Sequence, residues 1–173
     1  MNMLAQQNLL QNAYKKTNSF LKNVEKNKEK YIAQTISKKY YISELPPIWP
    51  DKIAVAERFI IHLRNMPEDC LSLLDRDNKI IYLTRDNDLL KKWENFALAH
   101  ILGKWFMDHL SSSFNLASIT NMSGHEEDLQ ANKFAGYLLM PDNFVREYAW
   151  LEEDFATVFR VPQEVVDFRM LLP

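Results

Sequence analysis

With 173 residues, 47% hydrophobic and 12% aromatic, the chain is large enough for one domain with a buried core and has the wrong composition for a disordered segment. Its one cysteine, Cys70, excludes an intramolecular disulfide and a thiolate zinc cluster, and no apolar run approaches the roughly 20 residues of a membrane span. Net charge is −2 but uneven: residues 1–48 hold eight lysines against Glu25, Glu29 and Glu44, and the remaining 13 basic and 20 acidic groups net −7.

That asymmetry, next to Pro46, Pro47 and Pro50, predicts a lysine-rich helical N-terminal arm over 1–48 and a folded domain over 49–173. The single cysteine and the lysine-rich start without an apolar leader predict a soluble, cytoplasmic protein with no membrane contact.

In chain order, Leu9, Leu10, Ala13, Tyr14, Phe20, Leu21, Val24, Tyr31 and Ile32 form a loose helical stripe. Ser43 to Pro50 reads as a linker, because Pro-Pro and Trp-Pro resist helix. Asp51 is placed to cap a helix carrying Ile53, Ala56, Phe59, Ile60 and Leu63. Cys70–Leu74 and Lys79–Leu83, joined by Asp75-Arg76-Asp77-Asn78, read as a β-hairpin. A long helix follows over Leu89–Leu110, stopped at Ser111-Ser112-Ser113, and a second runs from His125 to Met140, ended by Pro141. Three shorter helices are predicted over Asn143–Trp150, Glu153–Phe159 and Pro162–Leu171. The pattern is α+β, mostly helical, with a small antiparallel sheet packed on the two long helices.

Two segments stand out chemically: Phe96-Ala97-Leu98-Ala99-His100-Ile101-Leu102-Gly103-Lys104 on the first long helix, and Asp128 to Pro141 on the second. Zinc-dependent hydrolysis on a helix needs two histidines four residues apart, so that both project from one face, with a Glu beside the first as general base. It also needs a third ligand from elsewhere. Position 100 has its histidine; Ile101 stands where the base would be and Lys104 where the second histidine would be.

Phe-x-Leu-Ala-His-x-Leu-Gly followed by Ala-Asn-x-Phe-Ala-x-x-Leu-Leu-Met-Pro resembles the ImmA/IrrE metallopeptidase family. The hairpin over 71–83 and the tail from Asp154 through Val161-Pro162 to Arg169 extend the likeness over about residues 55–173. The resemblance implies a zincin-like fold and a zinc peptidase acting on helix-turn-helix repressors of the Xre type, as in mobile elements and stress responses. It assigns His100 to the first zinc ligand and Asp128, three before Ala131, to the third, a place the family usually gives to Glu. Ile101 takes the base's place and Lys104 the second ligand's, so the HExxH pattern is degenerate.

An ammonium has no lone pair for a metal, and deprotonating an ordinary lysine at neutral pH costs about 4–5 kcal/mol. Loss of a general base removes a further ~10²–10⁴ in rate. The expectation is a pseudo-peptidase without catalytic residues or cofactor. Its cleft of His100, Lys104 and Asp128 binds a repressor or other regulatory protein without cutting it, in the manner of a phage or mobile-element anti-repressor. Lys104 is expected to pair with Asp128 across the two helices, with Asp108, four residues further along, as competing partner.

The alternative is a surviving zinc metallopeptidase that cleaves a repressor, built from His100, Asp128 and His125 or Glu127. A third reading, DNA binding through residues 1–48, is at most non-specific, since that segment contains no arginine for guanine contacts.

Overall fold

A computed structural model describes residues 15–16, 22–40, 45–67, 69–85, 88–115, 125–148 and 154–173. The elements in chain order are α1 (Lys28–Lys39), α2 (Pro50–Ala56), β1 (Ile60–Arg64), β2 (Cys70–Asp75), β3 (Ile80–Thr84), α3 (Asp88–Phe106) and β4 (Ser113–Asn115). Then come α4 (Glu126–Leu139), α5 (Asp142–Tyr148), α6 (Phe155–Phe159) and α7 (Gln163–Met170). Apart from residues 15–16, the stripe expected before position 22 lies outside the described residues.

The α+β class holds, but the sheet is mixed rather than purely antiparallel. Its order is β1-β3-β2-β4, with the expected hairpin β2–β3 antiparallel, β4 antiparallel to β2, and β1 parallel to β3. The expected helix over 51–63 stops at Ala56. Arg58 adopts a left-handed conformation with φ 65°, and the N–H groups of Arg58 and Phe59 turn back to Val55 O and Ala54 O. The Phe59-Ile60-Ile61 run then continues as strand, where β-branched side chains fit better than in a helix.

Helix α3 lies between the sheet and α4. From Phe96 to Leu102 every side chain is buried, as expected of a helix apolar all round. Gly103 sets its distance from α4: a Cβ there would sit 2.8 Å from Phe134 Cδ1. Helix α4 is buried on two sides because α1 covers the face turned away from α3, with Ala33 and Ile36 joining the same core. Lys30 pairs with Asp142 at 2.8 Å and Lys39 with Glu57 at 2.9 Å, so lysines of the basic segment meet carboxylates behind it. Buried Arg169 of α7 donates from Nε to Met140 O at 2.9 Å and pairs with Asp142, fastening the end of α4 to α5 and α7.

Candidate functional site

Positions 100 and 104 lie one helical turn apart on α3, on the face that meets the first turn of α4 and strand β4. His100 is wholly buried, with the Phe114 ring of β4 against its own at 4.3 Å between centroids. Its Nδ1 lies 2.8 Å from Asn132 Oδ1, which makes Nδ1–H the donor and leaves Nε2 turned toward Asp128. At 3.7 Å from Asp128 Oδ1, Nε2 is beyond hydrogen-bond length and has no other partner among the described residues. Burial pushes the imidazole down to about 4, with Asp128 and Asn132 opposing and the Lys104 charge assisting, so the ring is neutral at pH 7.

Lys104 is 1% exposed; its ammonium donates two hydrogen bonds, to Ser111 Oγ and Ser113 O, and forms an ion pair with Asp128. Nζ lies 2.5 Å from Asp128 Oδ1, 3.0 Å from Ser111 Oγ and 2.5 Å from Ser113 O. Asp128 is held well below the usual carboxylate range by His100 and by Lys104, against the effect of its burial. Asp108 does not compete: α3 has ended at Phe106, Asp108 is left-handed at φ 56°, and its exposed carboxylate meets Arg76 at 3.4 Å.

The loop from 107 to 112 that presents Ser111 is itself pinned. Glu127 accepts from Leu110 N–H at 3.1 Å, Ser111 N–H at 3.0 Å and Ser111 Oγ at 2.7 Å. Those three donors draw its carboxyl down to about 2. Arg76 donates to Lys104 O and His109 O at 2.8 and 2.5 Å, capping the end of α3. His109 Nε2 reaches Gln130 Oε1 at 3.0 Å, and burial lowers its basicity.

The structure therefore brings together His100, Lys104 and Asp128 and leaves out the other residues considered. His125 is exposed at the start of α4, and Glu127 is committed to the loop. Ile101, in the base's position, is wholly buried. Sequence reasoning missed Asn132, Ser111 and Ser113 as parts of the cluster, and considered Glu127 only as a ligand and not as the anchor of the loop. Asn132 left a signal: it lies one helical turn beyond Asp128, on the same face.

His100 retains the posture of a metal ligand, Nε2 forward and Nδ1–H held from behind. The donor set does not fit a catalytic zinc. A zinc–carboxylate bond runs about 2.0–2.2 Å, and the Asp128 oxygen facing the cluster is held at 2.5 Å by a cation of the chain itself. Among the described residues no group of three His, Cys, Asp or Glu side chains is placed to hold a metal ion.

A family model described as the IrrE N-terminal-like domain matches residues 56–171. Metallopeptidase ImmA of Bacillus subtilis (strain 168) is 27% identical over 94 residues, covering 51% of this chain and 55% of the relative. The chain thus spans about half the length of the curated relative it matches. A Mycobacterium tuberculosis transcriptional regulator aligns with a TM-score of 0.57 at 19% identity, over 80% of this chain and 46% of that one, a likeness of fold alone. The family match takes in β1 to α7 and with them both helices of the cluster, so this chain belongs to the IrrE N-terminal-like, or ImmA/IrrE, family of metallopeptidase-like domains.

Proposed function

We propose that this protein is a non-hydrolysing member of its family, retained to bind a regulatory protein rather than to cut one. One observation carries the reading: the buried Lys104 ammonium, bonded to Ser111 and Ser113, is ion-paired with Asp128 where the family places a metal ligand. With Ile101 buried at the base's position, there is no side chain there to activate water. The partner, by the family's habit, is a transcriptional regulator of the Xre, helix-turn-helix type, and the surface around the cluster is the binding face. The family match and the relative named metallopeptidase ImmA support the metallopeptidase-like frame on which this reading rests.

The test is to mix the full chain, with zinc supplied, with Xre-type repressors encoded beside it. Mass spectrometry reads cleavage and size-exclusion chromatography reads complex formation. An intact repressor co-eluting with the protein is the expected result. Repressor fragments at catalytic amounts of the protein would establish the peptidase instead.

A further inference from the structure

Strand β1 is an outer strand of the sheet, paired among the described residues only with β3; the Lys104 cluster lies by the opposite edge, at β4. Its backbone phase is fixed at both ends. Ile60 N–H donates to Lys79 O and Arg85 N–H donates to Arg64 O, each at 2.9 Å. In a parallel ladder, alternate residues of a strand face the same neighbour, so Ile60, His62 and Arg64 turn their peptide groups to β3. Ile61 and Leu63 turn theirs outward. The Arg85 guanidinium reaches Leu63 O only at 3.5 Å.

This edge lacks the devices that usually blunt one. It contains no proline or lysine, the sheet's irregularity lies between β2 and β4, and Ile60 and Leu63 are 56% and 53% exposed. Ile61 and Leu63 share the side of Ile81 and Leu83, toward α3. Ile60, His62 and Arg64 share the opposite side with Tyr82, over whose ring Arg64 lies at 5.5 Å.

Charge decides the occupant. Arg58, Arg64 and Arg85 flank the edge, and none has a carboxylate partner among the described residues. Glu57, next to Arg58, is committed to Lys39 and Tyr40. A second copy paired antiparallel about His62 would set Arg64 opposite Ile60 and bring Arg58, Arg64 and Arg85 of both chains to one seam with no carboxylate among the described residues to meet them, which like-charge repulsion opposes. We propose that the open edge of β1 takes an extended acidic segment of another protein by strand addition. Its carboxylates lie over His62 and Arg64, and its alternate apolar side chains lie beside Ile61 and Leu63.

The proposal does not depend on the loss of hydrolysis, and its test leaves the Lys104 cluster untouched. A fluorescently labelled peptide alternating Glu and Val, and its Lys-Val counterpart, are titrated with the full chain at low and moderate salt. Leu63→Pro removes an outward N–H while sparing the ladder to β3, and Arg64→Glu reverses the charge. The expected result is saturable binding of the Glu peptide alone, weakened by salt and by about tenfold in each variant. Should Leu63→Pro fail to fold, by circular dichroism, a peptide N-methylated at alternate residues carries the same test. No binding of the Glu peptide by the folded protein, or equal binding by Arg64→Glu, would overturn the proposal. So would a concentration-dependent dimer abolished by the same variants, which would give the edge to a second copy.

Discussion

Lys104 is a cation the chain cannot release, and it sits among acceptors that would otherwise face one another: the Asp128 carboxylate, the Ser113 carbonyl and the Ser111 hydroxyl. Removing one partner of a buried pair strands the other, at a typical cost of about 3–5 kcal/mol, whereas replacing both is often near neutral. Lys104→Met should therefore lower the melting temperature sharply, and Lys104→Met with Asp128→Leu should recover most of the loss. An unchanged melting temperature in the single variant would contradict this role for the pair.

Protonation offers a second test at this scale. His100 has its folded-state value depressed to about 4 from 6.5, so between those values the unfolded chain binds a proton that the native state does not. Stability then falls as pH drops through that window, by roughly 3 kcal/mol in all. Asp128, also depressed, contributes stability that is present above the ordinary carboxylate value and lost below it, so both groups act in the same direction. Thermal melts from pH 7 to 4 should show the decline, and His100→Gln should flatten it above pH 5.

At the scale of elements, the close approach of α3 and α4 depends on Gly103. Gly103→Ala drives a methyl into the Phe134 ring and should cost about 1–3 kcal/mol, read by chemical denaturation; a neutral result would mean the helices can part without penalty. Both long helices were legible in the sequence from their apolar patterns, and Pro141 marks the end of the second; the first ends at Phe106, short of the expected Leu110, because Asp108 turns left-handed. Strand β1 was not. Ile53, Ala56, Phe59, Ile60 and Leu63 fit a helical period, and an arginine rather than a glycine makes the left-handed exit at position 58. Strand β4 is only three residues long and is defined by its pairing to β2, which no local pattern encodes. For the same reason the sequence pointed to Lys104 through its spacing from His100 and to Asp128 through the family resemblance, while the roles of Ser111, Ser113 and Glu127 became visible only once loop and strand were closed around them.

Across the whole molecule, a core assembled by long-range packing joins the basic N-terminal segment to the family domain. Ala33 and Ile36 of α1 are buried with α4, and Lys30 reaches both Asp142 and the Pro173 carbonyl. Ile36→Ala should cost roughly 2–5 kcal/mol of global stability if α1 is part of the cooperative unit, and almost nothing if it is an independent arm. If the buried Lys104 ammonium takes the metal's side of the site, as proposed, folding should need no metal. The most direct measurement is the zinc content of the freshly purified full chain, together with its melting temperature in chelator and in added zinc. The account predicts far less than one zinc per chain and a melting temperature indifferent to both additions. One zinc per chain, with a melting temperature lowered by chelator and restored by zinc, would contradict it.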